Sequence, residues 1–215
     1  MRFDEVVHRL EPLPLVLPEG PAALIPVMAD TGGARPRPSW DSNEGSARPA
    51  AVLVLLFPDD TGEARLVLTE RADRGGHHSG EVSFPGGREE PEDADIVATA
   101  LREAAEEVGL DSIAAGVRVL GLLPVQWIPV SNFTVTPVVA VAERRPLMTP
   151  QLSEVAAILE APVRAFLPGA ELLQVEREIR GWQVRYAAYP IDGLAVWGMT
   201  ARVLGGLGAW LAAPG

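Results

Sequence analysis

"FPGGREEPEDADIVATALREAAEEVGL" (residues 84–110) sets three glutamates on one helical stripe a short distance after two glycines. Val97, Leu101, Ala104 and Val108 recur at helical spacing and predict a core-facing side. Glu103, Glu106 and Glu107 stand at i, i+3 and i+4, within roughly a 100° arc on the other side. A solvated acidic face would have the same pattern. Two features favour a metal site instead. Like charges crowd the C-terminal end of the helix, where the macrodipole also disfavours anions by about 0.3–1 kcal/mol each, and a cation would reverse both penalties. A Pro-Gly-Gly turn precedes the helix, so backbone groups can come close to an ion or a phosphate.

Working outward, "AAVLVLLF" (50–57) and "ARLVLTER" (64–71) predict two strands joined by a hairpin at "PDDTG". A Gly- and His-rich loop, "ADRGGHHSGEVSFPGG", leads from them into the helix. Beyond the helix, strands are predicted at 116–125, 133–142, 154–162, 171–179 and 182–191, with a short helix at 162–167. The tail "GMTARVLGGLGAWLAA" (198–213) is apolar at helical spacing despite its glycines. Near the N-terminus, "FDEVVHRLEPL" predicts a short helix ended by prolines, and residues 30–49 predict a long loop. Helices at the beginning, middle and end of a run of strands predict an α/β fold, a mixed sheet covered on both faces. The expected division is an N-terminal helix and Gly/Pro-rich arm (1–49) followed by one domain (50–215).

Composition narrows the chemistry. An apolar share of 47% and a charged share of 22% fit an ordinary globular protein. The net charge of −11 argues against a nucleic-acid partner, because that affinity comes from basic surface. With no cysteine, thiolate metal sites, thiol nucleophiles and disulfides are excluded. All 18 basic residues are Arg, which removes Schiff-base chemistry and the P-loop lysine. No stretch reaches the length of a membrane span and the N-terminus lacks a secretory pattern, so a cytoplasmic location is expected. A homodimer is compatible with the sequence but not specified by it.

"REAAEEVGL" (102–110) resembles the end of the Nudix hydrolase box, Gx5Ex7REUxEExGU, with Ala104 at the first aliphatic position. From Gly87 to Arg102 the chain is one residue longer than that pattern, and Asp93 stands near the expected first Glu. Such an insertion is familiar in the coenzyme A pyrophosphatase branch, whose upstream signature is LLTxR(S/A)x3Rx3Gx3FPGG. "LVLTERADRGGHHSGEVSFPGG" (66–87) is similar to it at Leu68, Thr69, Arg71, Ala72, Gly80 and 84–87, but carries Gly76 where the signature has Arg. "TVTPVVAV" and "VWGMTA" also resemble this branch.

The resemblance implies a Nudix-type α/β/α sandwich that hydrolyses a small-molecule nucleoside diphosphate derivative with Mg²⁺ or Mn²⁺. It implies coenzyme A as substrate, giving 3′,5′-ADP and 4′-phosphopantetheine; ADP-ribose or a dinucleotide is the alternative. An inactive nucleotide-sensing module would be expected to lose box carboxylates, and all three are present. By the same resemblance Glu103 and Glu107 are the principal metal ligands, with Glu106 and the Gly86 carbonyl completing the set. Arg102 would orient the carboxylates by a bidentate hydrogen bond. The proton acceptor is a box glutamate or Glu154. Arg71, Arg74 and His78 are candidate substrate contacts, whereas Trp127 and Trp197 are assigned to the core.

Overall fold

A computed structural model of the protein describes residues 1–29, 46–72, 81–128, 131–179 and 181–214. In chain order the elements are α1 (Phe3–Leu10), β1 (Val27–Met28), β2 (Arg48–Pro58), β3 (Ala64–Arg71), β4 (Val82–Ser83), β5 (Gly86–Arg88) and α2 (Ile96–Val108). There follow β6 (Val117–Leu122), β7 (Gln126–Ile128), β8 (Phe133–Ala142), β9 (Val155–Pro162), β10 (Leu173–Ile179), β11 (Trp182–Ile191), β12 (Leu194–Val196) and α3 (Gly198–Ala212). Single 3-10 turns occupy Ala22–Leu24 and Val163–Phe166.

The apolar run of β2 is continuous because both faces of the strand are covered. Ala50, Val52, Val54 and Leu56 point into one core, which also takes Val6 and Leu10 of α1 and Leu204, Leu207 and Leu211 of α3. Ala51, Leu53, Leu55 and Phe57 point into the other, against Ala100, Ala104 and Val108 of α2. Helices therefore cover both faces, and the fold is an α/β/α sandwich. Truncating a fully buried leucine such as Leu53 to Ala would cost about 2–5 kcal/mol in a core of this kind.

The larger sheet is mixed. Its order is β4-β3-β2-β8-β6, with β5 on β2, β7 on β8 and β9 on β3. β2 and β8 run parallel, from Arg48 against Phe133 to Leu56 against Val141, and the remaining pairs of this sheet are antiparallel. β2 begins at Arg48, earlier than its apolar run, because Arg48 and Pro49 already pair with Phe133 and Thr134. The run of strands predicts a single mixed sheet, but β1, β11, β10 and β12 form a second one. A strand's apolar pattern does not say which sheet it joins. Residues 30–45 of the predicted arm lie outside the described residues.

Candidate active site

Asp95 caps α2 by accepting the Ala98 amide at 2.8 Å, which satisfies one of the unpaired donors of the first turn. At the other end Gly109 takes a left-handed conformation (φ 66°), and its N–H closes on the carbonyls of Ala104 and Ala105. The last carbonyls of α2 are also occupied: those of Val108 and Glu107 accept the amides of Thr149 and Gln151, each at 2.8 Å. These bonds tie the segment leading to Glu154 onto the helix end. The same segment is held to β3, where the Ala72 amide donates to the Glu154 carbonyl at 2.8 Å.

The predicted Pro-Gly-Gly turn is instead a short strand. Gly86 and Gly87 pair with Val52 and Ala51 of β2. A β-carbon at Gly86 would lie 2.3 Å from the Ala51 carbonyl oxygen, so only glycine lets β5 come this close to β2. A β-carbon at Gly87 would lie 2.5 Å from the carboxyl carbon of Glu103. The Gly86 amide donates to Glu107 Oε2 at 3.0 Å. The two glycines thus bring bare backbone against the carboxylates of Glu103 and Glu107.

Helical spacing alone suggests that the acidic stripe faces solvent, but only Glu106 does so fully: Glu103 is half-buried and Glu107 buried. Glu107 is only 8% exposed, and the buried residues of α2 are Thr99, Ala100, Ala104, Glu107 and Val108, while Val97 and Leu101 are only partly buried. α2 packs against β5, and Glu107 is on the side that meets it, accepting the Gly86 amide. Burial pushes the Glu107 carboxyl up to about 7, against the Gly86 amide and the Arg71 charge, with Glu103 and Glu154 pushing it further upward. Burial also raises Glu103, opposed by Arg102 and reinforced by Glu106 and Glu154. Glu154 therefore stands within electrostatic reach of both carboxylates, and Arg71 within reach of Glu107. Arg71 follows a register shift at the end of β3, an irregularity of the kind that re-aims side chains beside active sites.

Arg102 differs from expectation. Its bidentate partner is Asp93: Nε donates to Oδ1 and Nη2 to Oδ2, both at 2.9 Å. Its bonds to Glu103 (3.1 Å) and Glu106 (3.4 Å) are single, from Nη1, and Nη2 also reaches the Arg88 carbonyl at 3.0 Å. Asp93 further accepts the Glu90 amide and the Thr99 hydroxyl at 2.9 Å each. Chiefly because of Arg102, its carboxyl lies well below the usual carboxylate range. Asp93 is thus the site residue that sequence reading noted only as a departure from a pattern. Its signal was an acid placed ahead of an arginine across a loop, whose pairing depends on how that loop folds.

Glu106 is exposed and faces Arg102. Among the described residues, no three acidic or histidine side chains converge as a ready-made metal cage. The donors that do converge are hard oxygens: the carboxylates of Glu103 and Glu107 beside the backbone of Gly86 and Gly87. They fit Mg²⁺ or Mn²⁺, because Mg²⁺ characteristically takes one or two carboxylates and completes its shell with water and substrate phosphate. Neither tryptophan expected in the core is fully buried: Trp197 is half-buried and stacks on Tyr186 (centroids 4.8 Å apart), and Trp127 is half-buried and donates to Asn132 Oδ1 at 3.3 Å. Arg74 and His78 lie outside the described residues.

Residues 47–183 match the NUDIX domain family. The chain is similar to Nudix hydrolase 15, mitochondrial, of Arabidopsis thaliana: 36% identical over 172 residues, 77% of this chain and 59% of the relative. It is 39% identical over 161 residues to Nudix hydrolase 22, chloroplastic, of the same plant, covering 72% of this chain and 52% of the relative. A third relative is the uncharacterized Nudix hydrolase NudL of Pectobacterium atrosepticum, 39% identical over 159 residues, 73% of this chain and 79% of the relative. The chain thus spans little more than half the length of the two plant proteins. Among solved structures, a Nudix hydrolase from M. smegmatis, RenU, aligns at 25% identity with a TM-score of 0.46, covering 55% of this chain and 72% of that chain.

Proposed function

The chain belongs to the Nudix family, and from that membership we propose that it is a divalent-metal-dependent pyrophosphohydrolase acting on coenzyme A or its derivatives. The observation that carries the catalytic part is the seating of Glu103 and Glu107 against Gly86 and Gly87. In this reading the two carboxylates and the Gly86 carbonyl hold Mg²⁺ or Mn²⁺, with Glu106 sharing the cluster. The ion, when bound, supplies neutralisation of the phosphate oxygens and a lowered pKa for the attacking water.

The protein groups do the rest. Arg102, anchored by Asp93, holds the Glu103 carboxylate in place. Arg71 contributes positive charge within reach of the buried Glu107 carboxylate and faces a substrate phosphate. The oxygen of water bonds to phosphorus as the bridging P–O bond breaks, and the bridging oxygen leaves on the other phosphate with the electron pair. Glu154 accepts the proton of the water, a role supported by its electrostatic reach to both Glu103 and Glu107. Arg74 and His78, from the signature-like stretch 66–87, complete the substrate contacts.

The coenzyme A assignment rests on the signature-like stretch 66–87, which leads directly into β5. Gly76, at the signature's Arg position, favours a second reading in which ADP-ribose or a dinucleotide is the substrate. Mass spectrometry of reactions with Mg²⁺ or Mn²⁺ decides between them. Coenzyme A should give 3′,5′-ADP and 4′-phosphopantetheine as its two products. Faster turnover of ADP-ribose or a dinucleotide would replace the first reading by the second, and no cleavage of any diphosphate would end both.

A further inference from the structure

A cavity of about 460 Å³ lies between α3 and the segment 16–25, on the face of the larger sheet opposite α2. Its walls include Leu17, Leu24, Leu123 and Val203, and its polar groups include Gln126 and Arg202. Pro137 lines it from β8; this residue pairs with Val52, which in turn pairs with Gly86. The cavity is therefore two strands from the catalytic glycines but on the other side of the sheet.

Arg202 is partly buried there and makes no hydrogen bond or ion pair with any described residue. Burial alone perturbs its guanidinium, downward, and no neighbouring carboxylate opposes the effect. Glu19 stands exposed on the rim, and no ion pair joins it to Arg202. Arginine is almost never buried unless paired, because its desolvation goes uncompensated.

The walls are built closely. A β-carbon at Gly20 would lie 2.7 Å from the Gly205 carbonyl carbon, and one at Gly206 would lie 3.0 Å from Leu17 Cβ. The glycines of α3 thus let the 16–25 segment pack directly on the helix beside Arg202, fixing the shape of the cavity. Its volume falls in the range of small-molecule sites, about 300–1,000 Å³, with the usual apolar lining and few polar groups.

We propose that this cavity is a second ligand site that takes a short aliphatic carboxylate, its head on Arg202 and its chain against the leucines and Val203. A planar guanidinium matches a carboxylate with two parallel hydrogen bonds. One arginine neutralises one charge, so it matches a singly charged head, whereas a dianionic phosphate would keep one charge uncompensated.

Octanoate is the probe, measured by titration calorimetry on the full chain beside octanamide and inorganic phosphate. Octanoate should bind one per chain, at least about tenfold tighter than octanamide, and Arg202→Gln should remove that difference. The variant should keep its diphosphate hydrolysis within about twofold, which separates this site from the proposed catalytic one. It should also melt no lower than wild type, since it deletes a partly buried charge that no described residue pairs. In the amide NMR spectrum of the wild-type protein, octanoate should shift residues 17–25 and 201–206 and leave 103–107 in place. Equal binding of octanoate and octanamide, tighter binding of phosphate, shifts centred on 103–107, or a variant that melts several degrees lower or fails to fold would each overturn the proposal.

Discussion

Asp93 grips Arg102 through both carboxylate oxygens at 2.9 Å, joining the loop before α2 to the helix that carries the glutamates. Because the remaining donors of Arg102 reach Glu103, Glu106 and the Arg88 carbonyl, the aspartate fixes a fork on which the Glu103 carboxylate depends. Asp93→Asn keeps the shape and removes the charge. It should lower kcat by about ten- to a hundredfold with little change in KM, because misplacement of a catalytic group by about 1 Å costs up to about a hundredfold. Steady-state kinetics with circular dichroism checks this; unchanged kcat in a folded variant would remove Asp93 from the positioning role.

The adjacent glycines should fail in different ways. In Gly87→Ala the new methyl meets the Glu103 carboxylate, the movable end of a side chain, at 2.5 Å. The fold should survive and turnover should fall by about a hundredfold. In Gly86→Ala the methyl meets the Ala51 carbonyl oxygen at 2.3 Å and Val52 Cα at 2.6 Å, both backbone atoms of β2. That variant should lose several degrees of Tm. Equal melting temperatures for the two would contradict the packing described.

Glu107 makes the metal-free protein less stable as pH rises. Its folded carboxyl sits at about 7 rather than the ordinary 4.5, so the folded state favours the protonated form. The stabilisation is complete below about pH 4.5 and is lost as pH climbs through about 7, amounting to roughly 3 kcal/mol over that window. Denaturant unfolding in EDTA at several pH values should show this loss, and Glu107→Gln should flatten it.

A bound divalent cation reverses that sign, since it favours the ionised carboxylates. Mg²⁺ should raise Tm more at pH 8 than at pH 5.5 in the wild type, and much less in Glu103→Gln or Glu107→Gln. Both variants should stay folded and lose most turnover. Full activity after exhaustive EDTA treatment would refute the metal-dependent reading.

Substrate choice is tested by kcat/KM. Coenzyme A should exceed ADP-ribose by at least about tenfold, roughly 1.4 kcal/mol of transition-state discrimination. Arg71→Ala and Arg74→Ala should reduce the preference for coenzyme A over its 3′-dephospho form, since a charge-assisted hydrogen bond contributes about 1.5–3 kcal/mol. Equal kinetics on both forms, in wild type and variants alike, would exclude reading of the 3′-phosphate by these arginines.

Elements with a local cause were legible in the chain. β3, β8 and β11 occupy the apolar runs 64–71, 133–142 and 182–191, each bounded by turn-forming residues, and α3 follows the helical spacing of the tail. The clustering of Glu103, Glu106 and Glu107 was equally plain, because i, i+3 and i+4 positions share a face on any helix. Tertiary contact decided the rest. The parallel pairing of 48–56 with 133–141 joins segments far apart in sequence, and the division of strands between two sheets depends on which edges meet. Two glycines that read as a turn became a strand because β2 offered backbone partners to them. That contact buried Glu107, which local periodicity placed in solvent, and the folding of the loop before α2 gave Arg102 its partner in Asp93. Periodicity fixes which side chains share a face; what that face meets is set by hydrogen bonding and packing between distant segments, which no local pattern encodes.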